Sequence, residues 1–221
     1  MGYNWQFGLL YHYWPVFLNG AIITLEITFG ATLIGLLIGL PVGILRSSTS
    51  RLLRFITTVY VEVIRSTPAL VKIVWVYYCV PILFNIKLGA ESAVILTLGI
   101  HCGAYVAEIV RAGVEGVDKG QFMAARSIGM SYYLTIRRII LPQAVQRMIP
   151  PFINEFANLM KLSTQGSVIV VYELLQSSNN LISLTYRPLE VYTFLALVFF
   201  AITYPWIWMS RRLENKIKHN A

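Results

Sequence analysis

Charge is scarce in this sequence: of 221 residues only 13% are Asp, Glu, Lys or Arg, while 57% are apolar. That balance is wrong for a solvated domain and right for a chain built into a bilayer. Cysteine is nearly missing. Cys79 and Cys102 stand in apolar surroundings without C-x-x-C spacing, which argues against a disulfide framework or a thiolate metal site and leaves two buried free thiols. Histidine is equally sparse, with His12, His101 and His219 scattered along the chain, and no H-E-x-x-H, G-x-S-x-G or paired-carboxylate arrangement gives an enzyme its residues. There is no G-x-x-x-x-G-K-[ST], so the usual glycine-rich loop for nucleotide phosphates is missing. Nor is there an internal repeat or a low-complexity tract, which weighs against a carrier built from repeated halves.

Long apolar runs are what the sequence has in quantity. A spanning helix needs about 20 mostly apolar residues, so this length holds five or six spans within one membrane domain over residues 1–221. The first run, Asn19 to Leu45, follows an aromatic stretch (Tyr3, Trp5, Tyr11, Tyr13, Trp14) that reads as an interfacial belt, and it reads as an uncleaved first span. The second, Phe55 to Phe84, is interrupted by Arg65, Ser66, Thr67 and Pro68 and reads as a broken helix. Ala90 to Val110, Ala144 to Met160 and Val191 to Met209 complete five spans, which put the two termini on opposite faces. The net charge of +8 would point to nucleic acid in a soluble chain, but here the cations fall between and after apolar runs and set topology. Twelve Lys and Arg lie in the segments taken as inner (Arg46, Arg51 and Arg54; Arg111, Lys119, Arg126, Arg137 and Arg138; Arg211, Arg212, Lys216 and Lys218), against Lys87, Lys161 and Arg187 outside. The positive-inside rule then places the carboxyl terminus in the cytoplasm and the amino terminus outside.

The loop between the third and fourth spans, about 112–142, is not ordinary loop sequence. Met123 to Arg138 carries apolar residues at helical spacing, with Gly129 as a turn point and Pro142 at the entry to the next span. Periodicity alone leaves two readings, a helix lying on lipid or a helix docked into a partner.

Ala124, Ala125, Gly129, Ile139, Leu141 and Pro142 stand at the spacing of the loop called EAA, and the chain resembles the permease subunits of ABC importers that carry it, which implies that Met123, Ala124, Ala125, Ser127, Gly129, Leu141 and Pro142 form the ATPase-coupling loop. Glu62 to Lys72, EVIRSTPALVK, is similar to the E-x-x-R-G-T-P-x-L-V-Q segment of polar amino-acid permeases of the histidine, glutamine and glutamate type. Ala104 to Gln121 and Ile153 to Ile169 resemble that subfamily too. The resemblance implies an all-α integral membrane protein of the type I ABC importer permease (MetI-like) fold with five transmembrane helices, in the inner membrane. It implies alternating access driven by a dimer of separate ATP-binding subunits that hold ATP and magnesium, so that this chain has no cofactor and no enzyme activity of its own. The further partners implied are a second permease copy or sister permease, a periplasmic or lipid-anchored amino-acid-binding protein and membrane lipid, with no nucleic acid. Two positions depart from the family pattern. Met123 replaces the usual Glu of the loop signature, and Leu162 replaces an acidic residue after Lys161, which points away from a cationic substrate.

Ionisable groups at membrane depth cost several kcal/mol unless paired or hydrated, so each is a functional candidate. Glu62 with Arg65, and Glu108 with Arg111, are spaced as ion pairs along a helix, and Glu26 reads as a bundle ion-pair partner. Thr67 and Pro68 at the helix break, together with Glu155, Asn158, Lys161, Ser163 and Thr164, form the candidate substrate path. Glu155, Asn158 and Lys161 are taken to share roughly one face, and Lys161 with Glu155 would match the two charges of an amino-acid zwitterion. Bundle packing is the competing role for the same two residues. An ATP-independent carrier or channel for small polar solutes is the competing function.

Overall fold

A computed structural model describes residues 3–46, 48 and 50–219, with the backbone alone at 218 and 219, so the side chains of Lys218 and His219 and the extreme ends of the 1–221 domain lie outside the described residues. It contains helices and turns and, among the described residues, no strand. The elements are α1 (Gly8–His12), α2 (Trp14–Arg46), α3 (Arg51–Ser66), α4 (Ala69–Phe84), α5 (Ala90–Glu115), α6 (Lys119–Ser127), α7 (Tyr132–Thr135), a π-helical turn Ile136–Ile140, α8 (Leu141–Leu162), a 3-10 segment Ser163–Ile169, α9 (Leu174–Thr185) and α10 (Pro188–His219).

Among the described residues α2, α5 and α10 are long and apolar enough to cross a membrane, and α3 with α4 makes a fourth span if the bent pair is counted as one. The expected broken span is therefore two helices, with the axis bent by 101° between them. Pro68 is the cause: it has no N–H to donate, and at φ −58 and ψ 139 it is extended, so α3 stops at Ser66 and α4 restarts at Ala69. The remaining expected span, α8, has 22 residues, about 33 Å at 1.5 Å per residue. Its length suffices, but Gln143, Gln146, Arg147, Asn154, Glu155, Asn158 and Lys161 keep it too polar to qualify on composition. Helix α9 was not among the expected elements.

The chain gathers into two compact units. The first comprises Met1–Leu33, Thr67–Gly99 and Ala157–Pro205. Its core is Leu10, Phe17, Leu174, Leu181, Val191 and Leu195, with Phe17 edge-on to Phe194 at 4.7 Å. Thr24 accepts from the Leu174 amide at 3.3 Å, and the fully buried Glu173 caps α9 by accepting from Leu175 and Gln176, both at 2.8 Å. The amino-terminal stretch is tied down by Glu190, which accepts from the Tyr3 hydroxyl and from the Gln6 amide at 3.0 Å. Arg187 reaches the Asn4 carbonyl at 3.0 Å. Of the aromatic belt, Tyr3, Trp5, Tyr11 and Trp14 are exposed, while Tyr13 packs on the core.

The second unit comprises Ile34–Ser66, Ile100–Phe156 and Trp206–Ala221. Here Gly35, Gly39 and Gly43 recur every fourth residue, and a Cβ on any of them would stand closer than 3.0 Å to Cys102, Val106 or Val110 of α5. Glycine is thus what lets these two helices approach, as small-residue repeats do in membrane bundles. A second cluster joins Val110 and Val117 to Ile140, Ala144 and Met148.

Candidate functional site

The predicted path residues take different positions. Helix α4, which begins directly after Thr67 and Pro68, packs against the 3-10 segment that begins with Ser163 and Thr164, so these two parts meet within the first unit. The buried Ser163 hydroxyl donates to the Met160 carbonyl at 2.8 Å and Thr164 to that of Lys161 at 2.7 Å, so both donors finish the helix end while their lone pairs remain. Along α8, Glu155 is buried, Asn158 half-buried and Lys161 exposed. A common face for the three does not hold. Each step of three residues falls about 60° short of a full turn, so Lys161 is rotated about 120° from Glu155 around the axis. Leu162 is half-buried.

Two ion-pair expectations also change. Glu62 meets Arg46 at 3.9 Å rather than Arg65, and Arg65 lies 3.8 Å from Glu108 with its guanidinium over the ring of Tyr105 at 5.2 Å. Glu108 pairs closely with Arg111, as its spacing implied, and with Arg46 as well, and Arg111 also reaches Glu115. The helical spacing of Glu62 and Arg65 misled because each side chain finds a closer partner across helices. Glu26 is exposed and belongs to no ion pair among the described residues.

The loop between α5 and α8 folds as a knob within the second unit. Asp118 caps α6 by accepting from Gly120 at 2.7 Å, and Ser131 caps α7 by accepting from Leu134 at 3.3 Å. Between them the chain reverses at Gly129, whose φ of +81 is left-handed, with Met130 donating to the Ala125 carbonyl at 3.1 Å. The single helix expected from Met123 to Arg138 is thus two short helices hinged at the predicted turn residue. Ala125 is buried beneath them, and Phe122, Ile136 and Ile139 pack on the cluster that holds Val117 and Ile140. On the outside, Met123 (64% exposed), Ile128 (78%), Tyr132 (65%) and Tyr133 (69%) form an apolar cap with Arg126 and Ser127 among them. Leu141 and Pro142 are exposed on the first turn of α8, entered through the π-helical turn. These large side chains thus stand exposed on an internally packed base.

Known proteins resemble this chain over almost its whole length. It is 35% identical over 205 residues to the glutamine transport system permease protein GlnP of Escherichia coli (strain K12), covering 92% of this chain and 94% of that protein. The arginine transport system permease protein ArtQ of Bacillus subtilis (strain 168) is 31% identical over 206 residues, covering 93% and 94%. A solved structure of an amino acid ABC transporter with histidines matches with a TM-score of 0.90 at 36% identity, covering 97% of this chain and all of that one. The MetNI methionine ABC transporter in an inward-facing conformation, at 21% identity and a TM-score of 0.75, shares the fold over 91% of this chain. That fold is the type I ABC importer permease fold. Residues 31–219 match the model of the binding-protein-dependent transport system inner membrane component, and with so much of the chain accounted for, it belongs to that family of multi-pass membrane proteins.

Proposed function

We propose that this chain is the translocating subunit of an ATP-driven importer for a polar amino acid, acting as one permease domain over residues 1–221. The reading is supported by its membership of a family of binding-protein-dependent transport components and by relatives whose names specify glutamine and arginine. The single observation that carries the coupling role is the exposed apolar knob of Met123, Ile128, Tyr132 and Tyr133 on a buried base at Ala125.

In this proposal the loop of about 112–142, including Ala124, Ser127, Gly129, Leu141 and Pro142, docks into an ATP-binding subunit, and two such subunits bind the ATP and magnesium. The loop and carboxyl terminus are cytoplasmic, the amino terminus is outside, and a second permease copy or sister completes the pore. A periplasmic or lipid-anchored binding protein delivers the amino acid. Thr67, Pro68, Glu155, Asn158, Lys161, Ser163 and Thr164 line the path. Approach of the ATPases favours an outward-open state and their separation an inward-open one, which requires that ATP bind the two states with different affinity. Leu162 offers no charge to a cationic side chain, so a neutral polar amino acid is preferred.

The test is uptake of radiolabelled glutamine and arginine into proteoliposomes holding the assembled transporter and its binding protein, with and without ATP. ATP-dependent uptake favouring glutamine is expected. Uptake that persists without ATP would make the chain an ATP-independent carrier, and a strong preference for arginine would remove the argument from Leu162.

A further inference from the structure

A cavity within the second unit is lined by Arg65, Tyr105, Glu108, Ala112, Arg147 and Pro151, among others. Its charges are unequal in what they have left to offer. Glu108, the carboxylate in its wall, is already held closely by Arg46 and Arg111. Arg65 approaches the same carboxylate at 3.8 Å, beyond hydrogen-bond range, and rests on the face of Tyr105. Arg147 is exposed and donates through Nη1 to the Gly116 carbonyl, its recorded contact among the described residues. Two guanidinium groups therefore face one cavity with most of their N–H donors unused. In the whole cluster four arginines (46, 65, 111, 147) stand against three carboxylates (62, 108, 115).

We infer that this cavity is an oxyanion site in which Arg65 and Arg147 together hold a single carboxylate or phosphate group. Guanidinium donors form a planar fork that matches either group, whereas a lone ammonium would find in Glu108 a carboxylate already matched. Ala112 and Pro151 supply an uncharged wall, and Tyr105 an aromatic one, for the part of the ligand behind the oxyanion. All the lining residues lie in the second unit, and none of them is among the candidate path residues. Two sources carry this chemistry: the α-carboxylate of an amino acid leaving the path, which rests on the proposed import function, and the phosphate of an anionic lipid headgroup.

Hydrogen exchange of residues 105–116 and 147–149 tests the inference, measured on the transporter assembled with its ATP-binding subunits in phosphatidylcholine nanodiscs. The probes are L-glutamine, its methyl ester, which lacks the carboxylate, and partial replacement of the lipid by phosphatidylglycerol. Occupancy should slow exchange in these segments by about fivefold. Arg147→Gln and Arg65→Gln should each abolish the slowing, while Arg147→Lys, which keeps the charge, should retain part of it. Protection by glutamine and not by its ester assigns the free carboxylate, and protection by phosphatidylglycerol alone assigns the lipid phosphate. No protection by any probe, or protection unchanged in Arg147→Gln, overturns the site. The measurement uses neither ATP hydrolysis nor transport, so its failure is distinguishable from failure of the uptake assay.

Discussion

In the first unit two carboxylates hold backbone and hydroxyl groups: Glu173 caps α9 and Glu190 fastens the amino-terminal stretch, beside an apolar core around Leu174 and Leu181. In the second unit one carboxylate, Glu108, is shared by Arg46, Arg65 and Arg111, and the glycine repeat of α2 lies directly on α5. The first arrangement secures segment ends one at a time. The second ties α2, α3 and α5 through a single group, so that a displacement of one helix loads the other two. The knob proposed to couple this chain to its ATPases grows from the unit built in this second way, where the α5 end, α6, the π-helical turn and α8 share one apolar cluster. A device that passes on mechanical work needs such stiffness, because a soft base would absorb the movement instead.

The contrast is open to attack at several points. Gly39→Leu should have the largest effect, since even a Cβ at Gly39 collides with Val106. A loss of about 3 kcal/mol or more is expected from overpacking, visible as collapse of the monodisperse peak when the detergent-solubilised chain is run on a sizing column. Glu108→Gln should follow, at about 2–3 kcal/mol, because removing the shared anion takes the carboxylate partner from Arg65 and leaves Arg46 and Arg111 only the exposed Glu62 and Glu115. Its thermal unfolding in detergent should fall well below that of Glu62→Gln. The Glu62 side chain is 62% exposed and meets Arg46 only at 3.9 Å, so its loss should cost under about 0.5 kcal/mol. Equal effects for the two would mean that the network is not centred on Glu108.

The smallest effect expected is the pH response of Glu173, which lies outside the spanning segments. Burial pushes its carboxyl above the ordinary value of 4.5, against the pull of the amide donors at Leu175 and Gln176. Above 4.5 and up to the raised value the folded state therefore binds more protons than the unfolded chain. Stability contributed by this group is present below 4.5 and lost as pH rises through the raised value. Thermal unfolding of the wild type should decline across that window relative to Glu173→Gln, and parallel curves would contradict the burial argument.

Much of this fold was legible because bilayer length and apolarity act on contiguous residues. The ranges of α2, α5 and α10 all appear as long hydrophobic runs, and Pro68 marked the helix break. Gly129 announced the loop reversal for a similar reason, since left-handed backbone favours glycine. What escaped was set by side chains distant in sequence. Arg46 and Glu108 are 62 residues apart, so the spacing of Glu62 and Arg65 offered a plausible but different pairing. The Gly35, Gly39, Gly43 repeat was visible in the sequence and would have located the face of α2 that meets α5. Helix α9 left a fainter trace, because its cap is a glutamate rather than one of the usual short polar residues. In the candidate path, three-residue spacing on α8 suggests a shared face, though the rotation it accumulates separates Glu155 from Lys161.

The most direct test of the account is ATP hydrolysis by the cognate ATP-binding subunits reconstituted in lipid with this chain, comparing wild type with Ala125→Pro. Proline at this buried position of α6 should break the base of the knob while leaving the spanning helices in place. The account predicts that stimulation of hydrolysis by binding protein and amino acid is lost, by about tenfold or more, while the chain still inserts and remains monodisperse. If stimulation is unchanged in the variant, the knob is not the coupling element.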